Sequence, residues 1–296
     1  IPFLPARTFK EIDLMSVSKK DIFKTIMSSG TTGTQSSKIY LDKKNAQNQV
    51  LVLNKIVKTI LGNNRIPMLI IDKDPRFGSK NSFNAGAAAI YGFSIFGTNH
   101  TYLINRNNEI DYKSLEQFIS KNKKQKIFIF GFTSLIYEYL IKNNSLKKKK
   151  IDLSNAILLH GGGWKKMESK KINNSKFKIL LENKFKLRKV YNYYGLVEQT
   201  GSIFLECEKC SCFITSIFSD IIIRDLHFNL VKKGDKGFIQ LFSILPTSYP
   251  GHNILTEDVG KIIDNSKCIC AEKGKAFLVY GRMPRSEIRG CSDTIW

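Results

Sequence analysis

The 296-residue chain has no run of about 18 apolar residues, so no segment of it qualifies as a bilayer-spanning helix. Residues 85–96 come nearest, but Gly86 and Gly92 interrupt them and the stretch reads as a buried helix. The start, Ile1-Pro2-Phe3-Leu4-Pro5, lacks an initiator Met and the charged-then-apolar layout of a secretory signal. A soluble cytoplasmic protein with no membrane span, whose start also suits a fragment, is expected. Internal repeats and long linkers are absent as well. Acidic residues are few, 25 against 47 Lys and Arg, which leaves a net charge of +22. Such an excess attracts phosphate polymers. Arginine is scarce too, however, at 9 residues against 38 lysines. Runs such as Lys121-Asn122-Lys123-Lys124 and Lys147-Lys148-Lys149-Lys150 carry no interleaved aromatics. Because arginine is the residue suited to bidentate phosphate and base contacts, these runs read as solvated loops and no nucleic-acid partner is expected. A basic nucleic-acid-binding protein is kept as the non-enzyme alternative.

With 42% hydrophobic and 11% aromatic residues, the chain can bury a large core as one big domain or two smaller ones. Leu53, Ile56, Val57, Ile60 and Leu61 recur at helical spacing, and the continuous apolar run 67–72 follows as a buried strand. Further helices are expected at 85–96, 114–119 and 134–141, and strands at 126–131 and 156–160. Strands that read as unbroken apolar runs are buried on both faces, which implies a mostly parallel sheet with helices on both sides. From Lys189 the texture changes, with strands expected at 190–194, 202–206, 213–218, 220–224, 237–244 and 276–280. The fold class is therefore α/β, helices around mostly parallel sheets, with a smaller β-rich subdomain beginning near residue 200.

The stretch Ser28-Ser29-Gly30-Thr31-Thr32-Gly33-Thr34, just before the first long helical pattern, packs small hydroxyl and glycine residues together. Glycines let backbone N–H groups approach an anion and hydroxyls add donors, so a phosphate-gripping loop is one reading and an ordinary loop the other. Cysteines stand at 207, 210, 212, 268, 270 and 291. In a cytosolic chain, close pairs argue for metal before disulfide. Cys207, Cys210, Cys212, Cys268 and Cys270 either supply four thiolates to a structural Zn²⁺ or are reduced, half-buried thiols.

Five glycine-marked segments then follow in order: Ser29-Gly30-Thr31-Thr32-Gly33, Leu159-His160-Gly161-Gly162-Gly163-Trp164, Tyr194-Gly195-Leu196-Val197-Glu198, Leu255-Thr256-Glu257-Asp258-Val259-Gly260, and Gly281-Arg282 ahead of Ile288-Arg289-Gly290. Together they resemble the adenylate-forming superfamily of acyl-CoA synthetases, peptide-synthetase adenylation domains and luciferases. Phe9-Lys10, the string 160–166 and Ser286-Glu287-Ile288-Arg289-Gly290-Cys291 make the chain most similar to its LuxE-type acyl-protein synthetases, over essentially the whole length.

That resemblance implies an ATP-binding core at 1–200, a β-rich subdomain with the cysteines at 201–281, and a short tail at 282–296 in place of a C-terminal lid. Ser28, Ser29, Gly30, Thr31, Thr32 and Gly33 would close over the ATP phosphates. Gly161, Gly162 and Gly163 would form a wall for adenine, or merely a strand-to-helix turn. Tyr194, beside Gly195, would stack on the base, and Glu198 would hold Mg²⁺ against the phosphates. Asp258 would accept hydrogen bonds from the ribose hydroxyls and Arg282 would donate to the same sugar. As plain structure, the aspartate would cap a turn and the arginine would sit in a surface ion pair. Cys291, near Arg285 and Arg289, takes the position of the acyl-accepting cysteine, where neighbouring positive charge favours the thiolate. The implied reaction joins a fatty acid or related carboxylic acid to AMP and then to Cys291, for a reductase-type protein partner. An acyl- or aryl-CoA ligase of the phenylacetate type is the alternative enzyme. The chain departs from the superfamily pattern at Gln35-Ser36-Ser37, which intervene before Lys38 where a proline is usual, and at Arg285, in the stretch where a hinge aspartate is usual.

Overall fold

The computed structural model describes residues 2–28, 36–77 and 85–282, in two compact units: Ile1–Gln49 with Leu196–Trp296, and Val50–Gly195. The division near residue 200 thus falls at 195/196, and the first 49 residues group with the C-terminal part rather than with the middle of the chain. The N-terminal segment holds β1 (Leu4–Pro5), the short helix α1 (Thr8–Glu11), β2 (Lys24–Met27) and β3 (Lys38–Leu41). Next come α2 (Lys43–Leu61), β4 (Ile66–Ile71), α3 (Ala85–Ser94), β5 (Gly97–Tyr102) and α4 (Tyr112–Lys121). They are followed by β6 (Ile127–Phe132), β7 (Ala156–Gly161), α5 (Asn174–Phe185) and β8 (Lys189–Tyr194). The C-terminal part holds β9 (Phe204–Glu206), β10 (Phe213–Ile214), β11 (Ser219–Arg224), β12 (Gly237–Ser243), β13 (Asn253–Ile263) and β14 (Ala276–Arg282).

In the middle unit the five strands lie in the order β8-β7-β6-β4-β5, all parallel. The continuous apolar runs of β4, β6 and β7 are buried on both faces, as their composition implies. Alternation sends Leu69, Ile71, Ile129 and Leu158 into one core with Leu115 and Phe118 of α4 and Phe177, Leu181 and Phe185 of α5. Phe130 points the other way and stacks on Phe93 of α3, with ring centroids 4.5 Å apart. Each of these large side chains contributes about 1.5–3 kcal/mol by leaving water. Asp111 caps α4 by accepting from the Ser114 N–H (3.0 Å), and Asn173 caps α5 through the Lys176 N–H (2.8 Å). The helix expected at 134–141 forms but widens to π geometry over Ile136–Ile141, and Lys184 donates to the carbonyls of Leu140, Ile141 and Asn143 at its end. β5 has no sequence signature because it is an edge strand of polar residues (Gly-Thr-Asn-His-Thr-Tyr) with a single sheet neighbour.

The other unit is antiparallel, ordered β11-β12-β13-β14-β10-β9, with β1 added parallel to β13. Two expectations are corrected here. The stretch around Asp258 is not a turn but the middle of β13, the longest strand described. The strand expected at 213–218 shrinks to Phe213–Ile214, because Ser216 and Ser219 turn the chain with their hydroxyls 3.1 Å apart. β2 and β3 pair antiparallel, with Met27 opposite Lys38. Among the described residues, no helix is long and apolar enough to cross a membrane.

Candidate nucleotide and metal sites

Glu198 lies in the helical turn Val197–Gln199. Gln199 anchors that turn, its side-chain amide donating to the carbonyls of Gly251 (2.8 Å) and Leu241 (3.2 Å). Gly251 is required there, since a Cβ would stand 2.7 Å from the Glu198 carbonyl oxygen. The Glu198 residue is only 7% exposed, and its carboxylate accepts a 2.6 Å hydrogen bond from the fully buried Ser37 hydroxyl. Ser37 is held at the neck of the β2–β3 loop. Ser28 N–H donates to the Ser37 carbonyl (2.9 Å) and Ser37 N–H donates to the Ser28 hydroxyl (2.8 Å). Burial pushes the Glu198 carboxyl above its ordinary range, and the Ser37 hydrogen bond and the charges of Lys10 and Arg282 partly offset that. A buried carboxylate short of counter-charge, with one oxygen already oriented, is a fit donor for a divalent cation.

The same carboxylate faces a hollow of about 30 Å³ whose wall includes Lys10, Thr256, Glu257, Asp258 and Arg282. The β13–β14 ladder sets Asp258 directly opposite Arg282. At a shift of register beside this pair Gly281 takes φ +119°, a left-handed conformation that explains the glycine of the Gly-Arg string. Arg282 Nε then lies 3.8 Å from Asp258 Oδ1, and Nη1 lies 4.0 Å from a Glu257 oxygen. Thr256 stiffens the strand by donating its hydroxyl to the Ile239 carbonyl (2.8 Å) while accepting from Asp258 N–H (3.1 Å). Three residues taken from three separate motifs, Glu198, Asp258 and Arg282, therefore line one hollow. Lys10 and Thr256 join them without having been singled out as ligands, and Ser37 supports the group through its hydrogen bond to Glu198. Thr256 lay within the Leu255–Gly260 segment and Lys10 within the Phe9-Lys10 string, in which Phe9 is core and the lysine reaches the hollow.

The glycines of the Leu159–Trp164 string, Tyr194 and Gly195 belong to the middle unit. Gly161 closes β7, but its bare face is filled by the Tyr193 ring, 2.4 Å from where a Cβ would stand. This corrects the expectation of an open wall at that residue. Gly162 adopts φ +74° and, like Gly163, is exposed. Tyr194 is half-buried at the end of β8 and Gly195 is exposed after it. His160 is fully buried; its Nδ1 meets the Thr133 hydroxyl at 2.9 Å and its Nε2 finds no partner among the described residues. Burial lowers its pKa to about 3, so the ring is neutral.

Four of the five clustered cysteines converge. The Sγ atoms of Cys207, Cys210, Cys268 and Cys270 all lie within 4.8 Å of one another. Cys212 stands beside this group rather than in it, its thiol donating to the Cys210 carbonyl at 3.5 Å. Lys38 is paired with Asp13 at 3.1 Å on the surface. Ser29, Gly30, Thr31, Thr32 and Gly33, like Cys291, lie outside the described residues.

The family model of the acyl-protein synthetases, LuxE, matches residues 1–296. A curated relative, the long-chain-fatty-acid–luciferin-component ligase of Aliivibrio fischeri, is 26% identical over 88% of this chain and 68% of its own length. Among solved structures, the open conformation of 2-hydroxyisobutyryl-CoA ligase in complex with 2-HIB-AMP and CoA superposes with a TM-score of 0.64, at 14% identity over 90% of this chain and 58% of that one. The amide bond synthetase McbA of Marinactinospora thermotolerans gives 0.58, at 15% identity over 89% and 49%. ATP-bound MatB of Rhodopseudomonas palustris gives 0.59, at 13% identity over 90% and 49%. The fold is that of the adenylate-forming enzymes, and the chain spans about half the length of these structures.

Proposed function

Because the chain belongs to the LuxE family of acyl-protein synthetases, we propose that it activates a long-chain fatty acid with ATP and transfers the acyl group to a cysteine thiol. The observation that carries this reading is the convergence of Glu198, Asp258 and Arg282 on one hollow. On this reading, a carboxylate oxygen of the fatty acid attacks the α-phosphorus, the bond to the bridging oxygen breaks and pyrophosphate leaves. Asp258 accepts from the ribose hydroxyls, with Arg282 donating to the same sugar, so the α-phosphate is presented in a fixed place. Glu198, oriented by Ser37, would hold Mg²⁺, which offsets the phosphate charge when bound. The backbone N–H groups and hydroxyls of residues 29–33 would take up the departing pyrophosphate. A thiolate, proposed from the resemblance to be that of Cys291, then attacks the acyl carbon. A C–S bond forms, the C–O bond to AMP breaks and AMP leaves. The thioester so formed would serve a reductase-type protein partner. The fatty-acid substrate is supported by the family and by the name of the Aliivibrio fischeri relative.

Two measurements test this reading. Pyrophosphate release, screened over carboxylic acids, should depend on a fatty acid and on ATP. Radiolabelled fatty acid and ATP without CoA should leave hydroxylamine-sensitive label on the protein. Equal labelling of wild type and Cys291→Ser would rule out that thiol, and label that stays off the protein and appears only as acyl-CoA once CoA is added would replace the reading with an acyl-CoA ligase.

A further inference from the structure

We propose that Cys207, Cys210, Cys268 and Cys270 form a closed, four-sulfur Zn²⁺ site that staples the loop after β9 to the loop after β13. The sulfur spacing suits a tetrahedral four-thiolate centre. With Zn–S near 2.3 Å, a regular tetrahedron has S–S edges of about 3.8 Å. Cys207 and Cys268 stand 3.7 Å apart and Cys210 and Cys270 3.6 Å apart, each pair joining one loop to the other. Both distances are far beyond the roughly 2.05 Å of a disulfide.

The backbone shapes both halves for this. In the first loop Ser211 takes φ +55°, its N–H donating to the Cys207 carbonyl (2.9 Å), while Cys207 N–H donates to the Cys212 carbonyl (2.8 Å). This turn brings the thiols of Cys207 and Cys210 to the same side. In the second, Cys268 N–H donates to the Asn265 carbonyl (2.8 Å) and Ala271 N–H to the Cys268 carbonyl (2.9 Å). Asn265 adds a support characteristic of metal-bound sulfur. Its amide lies 3.6 Å from Cys270 Sγ and also donates to the Gly274 carbonyl at 3.0 Å, so it can stabilise thiolate charge while fixing the loop. Cys212 lies outside the four sulfurs that converge, its thiol on the Cys210 carbonyl, which makes the other four the ligand set.

The donor set decides the metal and its role. Four sulfurs with no oxygen or nitrogen select a soft ion, and four protein ligands leave no position for substrate, so the site is structural rather than catalytic. The place also needs a staple. β9 and β10 are three and two residues long, and β10 meets β9 and β14 through two residue pairs each, so the ladder at this corner is short. This inference does not depend on the adenylation reading.

The test is metal analysis of the purified full chain, with thiol titration before and after a strong chelator. One zinc per chain is expected, with four thiols becoming reactive only after chelation. Cobalt exchanged into the site should show the tetrahedral, sulfur-to-metal absorption of a four-thiolate centre. Cys210→Ser and Cys270→Ser should each weaken zinc binding at least tenfold, whereas Cys212→Ser should retain it fully. If the serine variants fail to fold, the wild-type stoichiometry and Cys212→Ser still decide. Metal-free protein with freely titrating thiols, two internal disulfides by mass spectrometry, iron in place of zinc, or loss of metal in Cys212→Ser would each overturn the proposal.

Discussion

The two units handle polar groups in opposite ways. In residues 50–195 the central strands are almost wholly apolar, and glycine serves packing, as where Gly161 receives the Tyr193 ring. In the other unit many more polar side chains are buried, several of them in hydrogen-bonded networks. Ser37 holds Glu198, Asn45 spans from the Leu245 carbonyl to the Ser248 hydroxyl, and Thr256 bonds the Ile239 carbonyl. An apolar sheet tolerates imprecision better than a buried hydrogen-bonded network, where one missing partner strands a desolvated group. The unit rich in such networks is also the one that brings the charged candidate residues together, which is where exact placement matters.

This contrast can be broken by substitutions of known cost. Phe130→Ala, in the apolar sheet, should lower unfolding free energy by about 3–5 kcal/mol in denaturant titration, while leaving KM for ATP in the remaining folded enzyme unchanged. Glu198→Gln should do the reverse, cutting the rate of fatty-acid-dependent pyrophosphate release roughly 10²–10³-fold with little change in the far-ultraviolet dichroism. A smaller effect is expected from pH at His160. Its folded pKa of about 3 lies below the 6.5 of an unfolded histidine, so between those values the unfolded chain binds the extra proton. Stability should therefore be fully present above pH 6.5 and fall as pH drops, by about 2 kcal/mol between pH 7 and 5, and His160→Gln should flatten that slope. Asp258→Asn should raise KM for ATP about tenfold, the equivalent of about 1.4 kcal/mol, while Arg282, 68% exposed, can be removed at a stability cost below about 0.5 kcal/mol. Ser37→Ala, finally, should move the acidic limb of the pH–rate profile to higher pH, because the hydroxyl bond that lowers the Glu198 pKa is gone. Ser37→Thr should restore it.

Much of the parallel unit was legible because a strand buried on both faces must be a continuous apolar run, and β4, β6 and β7 are such runs. β5 was not, since an edge strand need not be apolar on both sides. β13 was misread as a turn because Thr256-Glu257-Asp258 has no apolar alternation; its pairing with β12 and β14 decides it. The glycines of the Leu159–Trp164 string were visible, but which of them a ring covers depends on Tyr193, a residue on the neighbouring strand. Ser37 carried no sign of its role, because its partner Glu198 lies 161 residues away.

By itself the sequence determined the α/β class, the order of the nucleotide motifs, the family and the supply of clustered thiols, all of which are local patterns or strings. Only the tertiary structure decided that Asp258 sits on a strand opposite Arg282, that both share a hollow with Glu198, and that four of the five clustered cysteines converge while Cys212 stays outside the group. Those facts rest on pairings between distant segments, and strand register and burial set them rather than any property of the residues taken one neighbourhood at a time.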